Sequence, residues 1–181
     1  MQRSPELVVF VGPMFAGKSS KLLAEVERLQ RRRRKVVLFK PSVDGRYSSN
    51  EVVTHSGFRL PAASVSDGAE IVRAVKETKP DAIAVDEAFM LDGAADALIK
   101  IFSMGISVYV ASIELSAHLH PFPEVHRLMS FATRVEKCTA VCQCGADAQL
   151  TMSKVGIVDR LTIGGDESYE AACWRCHPAS L

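Results

Sequence analysis

Residues 12–19 read G-P-M-F-A-G-K-S and directly follow the apolar run L-V-V-F-V at residues 7–11. This is the pattern of a phosphate-binding loop, in which backbone N–H groups surround phosphate oxygens and the following helix adds the positive end of its dipole. Gly12 and Gly17 allow the turns and the close approach of the backbone. Lys18 then reaches the β- and γ-phosphates, and the Ser19 hydroxyl binds Mg²⁺. We therefore expect the whole loop to bind ATP: Gly12, Pro13, Met14, Phe15, Ala16, Gly17, Lys18 and Ser19.

Strand-like and helical segments alternate over the first three-quarters of the chain. Strand-like runs occupy residues 7–11, 36–40, 82–85 and 107–111, and helical patterns follow the phosphate loop and recur at 67–79, 94–104 and 123–130. The polar segment 42–66 predicts a long loop with a short hairpin near residues 54–60. This alternation predicts an α/β fold of the P-loop NTPase type, with a parallel sheet flanked by helices and ligands at the carboxyl ends of the strands.

Composition excludes several classes of protein. The chain has 181 residues, of which 48% are hydrophobic and 24% charged, as in an ordinary globular domain. The net charge of +1 gives no reason to expect a nucleic-acid partner, and the basic run at residues 31–35 fits the end of a helix. Because the sequence shows neither a secretory segment nor an apolar stretch of membrane-spanning length, we expect a cytoplasmic protein without a membrane partner.

An acidic pair, Asp86-Glu87, ends the apolar run at residues 82–85. Phosphate-loop enzymes hold Mg²⁺ with an acidic residue at the tip of such a strand, so we expect Asp86 to act on the metal. The neighbouring Glu87 is then free to accept the proton of a substrate hydroxyl as a general base.

The loop after the second strand reads K-P-S-V-D-G-R-Y-S-S at residues 40–49. Asp44 and Arg46 lie where charged groups can reach the transferring phosphoryl group, and a guanidinium there would offset charge in the transition state. Spacing alone makes this a weak signal, and a solvated loop is the alternative. His55 is interpreted as a hairpin residue.

Four thiols have the spacing of a structural zinc site. They are Cys142, Cys144, Cys173 and Cys176. Four thiolates leave no open position for water, so the role of the metal would be to stabilise the fold. The single-residue spacer of the first pair is irregular, and Cys138 or His177 can substitute; the alternative is a set of free buried thiols.

The sequence changes in character after residue 136, where cysteines, glycines and short β-prone runs begin. We therefore expect a P-loop nucleotide-binding α/β domain over residues 1–136. A small zinc-binding domain would occupy residues 137–181.

Taken together, seven motifs resemble those of the type II, zinc-containing thymidine kinases. They are G-P-M-F-A-G-K-S, K-P-x-x-D-x-R-Y-S, T-H-S-G, V-D-E, A-V-C-x-C-G-A-D-A-x-L-T, I-G-G-D-E-S-Y and the final C-x-x-C-H. The resemblance implies ATP-dependent phosphorylation of the 5′-hydroxyl of thymidine, in nucleotide salvage. It also implies a homotetramer and a C-terminal lasso loop, held by zinc, that closes over the nucleoside.

The same resemblance implies roles for individual residues. Glu87 corresponds to the family's base and Asp86 to its metal-linked acid, and we also expect Asp44 to be linked to Mg²⁺ and Arg46 to be catalytic. Residues that line the thymine or approach the sugar would be Met14, Ile113, Thr151 and Tyr169. The backbone of Ile163, Gly164 and Gly165 would read the edge of the base.

Three positions depart from the family pattern. Phe89 stands where the D-E-x-Q-F motif has glutamine, Ala117 stands at the position of an aromatic that stacks on the base, and the first cysteine pair is one residue short. Loss of a stacking ring removes about 1 kcal/mol of binding. Two alternatives follow: a divergent kinase for another deoxynucleoside, and an ATP-binding paralogue, such as a regulatory protein, without thymidine kinase activity. An ATPase acting on nucleic acid is disfavoured by the near-neutral charge.

Overall fold

The computed structural model describes residues 4–44, 50–54, 57–154 and 164–178. In chain order the strands are β1 (Leu7–Val11), β2 (Val36–Pro41), β3 (Glu51–Val53), β4 (Arg59–Pro61), β5 (Ala63–Val65), β6 (Ala82–Asp86), β7 (Ser107–Ala111), β8 (Arg134–Lys137), β9 (Ala140–Val141), β10 (Asp147–Ala148), β11 (Leu150–Ser153) and β12 (Tyr169–Ala172). The helices are α1 (Lys18–Arg31), α2 (Gly68–Thr78), α3 (Ala94–Ser103) and α4 (Pro123–Phe131), and a short 3₁₀ turn spans Ala88–Met90.

Six of these strands form one parallel sheet in the order β5-β2-β6-β7-β1-β8. Strands β1 and β6 are buried along their whole length, as expected for a parallel sheet covered on both faces. Along β1, Leu7 and Val9 pack towards α2, α3 and α4, whereas Val8 and Phe10 pack towards α1. The parallel α/β fold predicted from the sequence is therefore confirmed.

The structure adds two edge strands that the sequence pattern did not predict. Strand β5 lies in the segment interpreted as a loop, and only Val65 of its three residues is buried. Strand β8 reads R-V-E-K and is exposed except at Glu136. Because edge strands are short and largely polar, they lack the apolar run that marks a central strand. The short hairpin predicted in the same polar segment is present as β3 and β4, which pair antiparallel.

Two small antiparallel sheets follow β8, one formed by β9 and β10 and the other by β11 and β12. Strand β8 pairs with β1 through the registers Phe10↔Glu136 and Val11↔Lys137, so it continues across the domain boundary expected after residue 136. Within the described ranges, no helix combines the length and the apolar character that crossing a membrane requires.

Candidate active site

The phosphate loop connects β1 to α1, and two glycines make its path possible. Gly12 has φ +141°, and a Cβ atom there would overlap the carbonyl oxygen of Cys138. Gly17 has φ +71° at the start of α1, with open space around its Cα. A side chain is therefore excluded at Gly12 by contact and disfavoured at Gly17 by backbone conformation.

Lys18 is buried at the start of α1, with 8% of its surface exposed. Its Nζ donates a hydrogen bond of 2.6 Å to the carbonyl oxygen of Pro13, within the same loop. Burial lowers the pKa of Lys18, and the carboxylates of Glu87, Asp86 and Glu114 oppose that effect. The ammonium group is thus held inside the loop, surrounded by acidic side chains.

Asp86 ends β6 and is the hydrogen-bond partner of Ser19. The Ser19 Oγ lies 3.0 Å from Oδ1 and 3.1 Å from Oδ2 of Asp86. Burial raises the pKa of Asp86 to about 7, and the Glu87 carboxylate adds to the increase, whereas the Ser19 hydrogen bond and Lys18 act against it. A hydroxyl and a carboxylate that meet in this way are the oxygen donors that Mg²⁺ prefers, so the residues fit the metal.

Glu87 follows Asp86 with a left-handed backbone, at φ +51° and ψ +45°. This conformation costs a non-glycine residue on the order of 1 kcal/mol, and such strain is concentrated at functional sites. The turn starts the 3₁₀ segment Ala88–Met90 and leaves Glu87 on the wall of the same pocket as Lys18 and Asp86.

That pocket is a cleft open to solvent beside the phosphate loop. Its wall includes Met14, Phe15, Ala16, Gly17, Lys18, Ser19, Asp44, Asp86, Glu87 and Gly165, all of them named by the sequence analysis. Phosphate-loop residues, three carboxylates and a glycine from the C-terminal segment therefore meet in one place.

The structure does not describe every residue that the sequence analysis named. Arg46, Ile163 and His55 lie outside the described residues. Ile113 is half-buried and packs against the core on the α2–α4 side of the sheet. Tyr169 is buried at the start of β12, and its N–H donates to the carbonyl oxygen of Gly165 at 3.0 Å.

Sequence reasoning missed several residues on the pocket wall. The hairpin strand β3 contributes Glu51, Val52 and Val53, with Thr54 following. Lys40 is 4% exposed, and its Nζ lies 3.4 Å from the carbonyl oxygen of Glu51. Lys40 had two signals, its place at the carboxyl end of a strand, where α/β proteins bind ligands, and its place as the first residue of the K-P-x-x-D-x-R-Y-S motif.

Phe89 has an internal role in this chain. Its ring packs on that of Phe122, with centroids 4.8 Å apart and planes tilted by 51°. Its backbone N–H donates to the hydroxyl of Ser112 at 3.1 Å. Phe89, at the position where the D-E-x-Q-F motif has glutamine, therefore packs the 3₁₀ turn against the start of α4.

The four predicted cysteines do form one cluster. Their sulfur atoms all lie within 4.8 Å of one another, and Cys144 Sγ lies 3.7 Å from Cys173 Sγ. A tetrahedral zinc site with Zn–S bonds of about 2.3 Å places sulfurs roughly 3.8 Å apart, so the cluster fits that metal. The short first spacer is accommodated by a turn in which Gly145, at φ +81°, donates its N–H to the carbonyl of Cys142 at 2.8 Å.

The two possible substitute ligands lie outside this sulfur cluster. Cys138 is buried beneath Gly12 of the phosphate loop, where burial raises the pKa of its thiol. His177 is also buried, and its Nε2 lies 3.3 Å from the backbone oxygen of Thr151.

Comparison with known proteins gives a family model and a relative that both cover most of this chain. Residues 5–177 match the family model described as thymidine kinase. A thymidine kinase of Pyrobaculum aerophilum is 41% identical over 180 aligned residues, which cover 93% of this chain and 96% of that protein. The structure of the Legionella pneumophila ATPase DotB aligns with a TM-score of 0.48 at 15% identity, covering 81% of this chain and 44% of that one.

Proposed function

We propose that this chain, which belongs to the thymidine kinase family, is a kinase that transfers the γ-phosphoryl group of ATP to the 5′-hydroxyl of thymidine and so forms dTMP. The observation that carries the proposal is the meeting of Lys18, Ser19, Asp86 and Glu87 on the wall of one pocket. These four residues supply the charges that phosphoryl transfer to an alcohol requires.

The phosphate loop would bind the β- and γ-phosphates of ATP. Lys18 now donates to the Pro13 carbonyl, and a phosphate oxygen offers its ammonium group a charged acceptor instead. Because the lysine is buried, its attraction to the phosphate is weakly screened by water. The loop amides and Lys18 therefore stabilise the charge that spreads over the moving phosphoryl group.

Ser19 and Asp86 would hold the magnesium ion, with Asp44 nearby on the same wall. Asp44 is 7% exposed, and its charge contributes to the raised pKa of Asp86. A magnesium ion held by these residues would neutralise part of the negative charge on the phosphates of ATP.

Glu87 would accept the proton of the 5′-hydroxyl as the attacking oxygen approaches phosphorus. It lines the pocket beside Asp86, so a sugar hydroxyl placed between Glu87 and the γ-phosphate meets both groups. We assign Arg46 to the moving phosphoryl group by its place in the K-P-x-x-D-x-R-Y-S motif.

The nucleoside would bind between the phosphate loop and the C-terminal segment. The residues that we assign to it are Met14, Ile113, Thr151, Ile163, Gly164, Gly165 and Tyr169. Two contacts support this assignment: the Met14 N–H donates to Thr151 Oγ1 at 3.0 Å, and Gly165 lines the pocket of the phosphate loop.

We assign a structural zinc ion to Cys142, Cys144, Cys173 and Cys176, since their sulfurs have the spacing of a tetrahedral site. None of the described cysteines, Cys138 and the four assigned to zinc, is in a disulfide bond, which supports a reducing compartment such as the cytoplasm. The motifs shared with type II thymidine kinases support a homotetramer.

A coupled assay of ADP release with a panel of deoxynucleosides tests the proposed function. We expect turnover to depend on thymidine and to exceed that with deoxycytidine, deoxyadenosine or deoxyguanosine. Preference for another deoxynucleoside would support the divergent kinase that Phe89 and Ala117 suggest. ADP release indifferent to every nucleoside would contradict a kinase of this class.

A further inference from the structure

We propose that Glu114 is a positioning residue for the phosphate loop, whose carboxylate fixes the first backbone N–H of that loop and so sets the affinity for nucleotide. Glu114 follows the end of β7, 102 positions from Gly12 in sequence. The inference rests on the proposed use of this loop for ATP.

The contact is short and buried. The Gly12 N–H donates to Oε2 of Glu114 at 2.7 Å, and Glu114 is 5% exposed. A hydrogen bond to an ionised carboxylate is stronger than one between neutral groups, and burial strengthens it further. It therefore restrains the first peptide of the loop more firmly than water would.

A second segment packs against Gly12, because a Cβ atom added there would overlap the carbonyl oxygen of Cys138. The Cys138 N–H donates to the carbonyl of Val11 at 2.7 Å, which fixes the end of β8 to the end of β1. Gly12 is thus restrained by the carboxylate of Glu114 and by the chain that follows β8. Loss of the carboxylate removes one of these two restraints.

The charge of Glu114 has a partner of its own. Lys137 Nζ lies 3.3 Å from Oε1 of Glu114, and the side chains are 57% and 6% exposed respectively. A buried carboxylate is tolerated when a cation and a hydrogen bond compensate its desolvation. Lys137 pairs in register with Val11, so Glu114 joins three segments: the loop after β7, the phosphate loop and β8.

This arrangement explains why an acidic side chain occupies a position with little access to solvent. The backbone of Glu114 is fixed as well, since its carbonyl accepts the N–H of Phe122 at 3.0 Å. The side chain therefore extends from an anchored backbone towards the loop. It acts on the nucleotide through Gly12.

Binding of MgADP, measured by titration calorimetry without nucleoside, tests the inference. Glu114→Leu has similar bulk but no acceptor, and we expect its Kd for MgADP to rise on the order of tenfold or more. Glu114→Gln keeps an acceptor oxygen at the same reach, and we expect it to retain most of the affinity. The control is Glu136→Gln on β8, which removes a surface ion pair with Lys21 of α1.

Two further measurements separate positioning from general damage to the fold. Thermal unfolding reports stability, and selective ¹⁵N-glycine labelling reports the exchange of the Gly12 amide, which we expect to be protected in the wild type and the Gln variant only. If the Leu variant does not fold, Glu114→Asp, one methylene shorter, replaces it with the same expectation.

Wild-type MgADP affinity in a folded Leu variant would overturn the inference, as would a Gln variant as weak as the Leu variant. The assay needs no phosphoryl transfer. A protein that binds MgADP in this graded way but does not phosphorylate thymidine would contradict the proposed function and leave the role of Glu114 standing.

Discussion

The backbone N–H of Met14 donates a hydrogen bond of 3.0 Å to the hydroxyl of Thr151. This contact attaches the phosphate loop to β11, which pairs with β12 in the register Thr151↔Ala171. Strand β12 runs into Cys173, and His177 lies 3.3 Å from the carbonyl oxygen of Thr151. Thr151 therefore connects the phosphate loop to the strand that leads into the cysteine cluster.

Replacing Thr151 by Val tests this connection. Val removes the hydroxyl but keeps the branched shape, so the half-buried Met14 N–H loses its acceptor at a cost of about 1 kcal/mol. We expect a loss of that size in the free energy of unfolding by urea and a rise of roughly fivefold in KM for thymidine. Thr151→Ser keeps the hydroxyl and should retain both values. If Thr151→Val and Thr151→Ser gave the same free energy of unfolding and the same KM for thymidine, a role for the hydrogen bond would be contradicted.

Removing one cysteine of the cluster should release the metal. We expect about one zinc ion per chain in the purified protein by elemental analysis, and none in Cys144→Ser, because structural zinc requires four ligands. Zinc contributes on the order of 10 kcal/mol to the folding of small units, so the segment after β8 should become sensitive to protease.

Cys138→Ala is the matched control for that experiment. Its thiol is buried outside the sulfur cluster, so this variant should keep its zinc. Zinc loss from Cys138→Ala, or a metal-free folded wild type, would contradict the four-cysteine site.

No other cationic side chain should replace Lys18 without loss of activity. Its side chain is enclosed, with the Nζ 2.6 Å from Pro13 O, and a guanidinium is larger and planar. We expect Lys18→Arg to lose as much activity as Lys18→Met, on the order of a hundredfold to a thousandfold in kcat. The control is Lys21→Arg on the same helix, where the side chain is 46% exposed. Activity in Lys18→Arg close to that of wild type would mean that only charge is needed here.

An aromatic ring at position 117 should strengthen nucleoside binding. Ala117 is half-buried in the segment between β7 and α4, and a stacked ring is worth about 1 kcal/mol. We expect Ala117→Phe to lower KM for thymidine roughly fivefold, and Ala117→Leu, with bulk but no ring, to change it less. An unchanged KM in Ala117→Phe would place the base away from this residue.

The sequence predicted the central sheet well because its signal is local, and the residues assigned to the phosphate site are also recognised by local spacing. The run of residues 7–11 is apolar without interruption, and Gly12, Gly17 and Lys18 carry their chemistry at fixed spacing. The edge strand β8 was missed because R-V-E-K has no such run.

Contacts between distant segments had no local signal. The bond between Glu114 and Gly12 joins residues 102 positions apart, and the approach of Lys40 to the phosphate loop depends on the folding of the β3–β4 hairpin. The sequence predicted that four cysteines form one cluster. It could not show that Cys138 lies outside that cluster, because the position of Cys138 depends on its packing against Gly12.

The proton-accepting role of Glu87 is the central claim, and ADP release by Glu87→Gln with saturating ATP and thymidine tests it most directly. Gln has nearly the same shape but no basic oxygen, so we expect kcat to fall at least about a hundredfold while the Kd for MgADP stays unchanged. Glu51→Gln, which removes another carboxylate from the pocket wall, should stay near the wild-type rate. A Glu87→Gln enzyme that releases ADP at the wild-type rate would contradict the account.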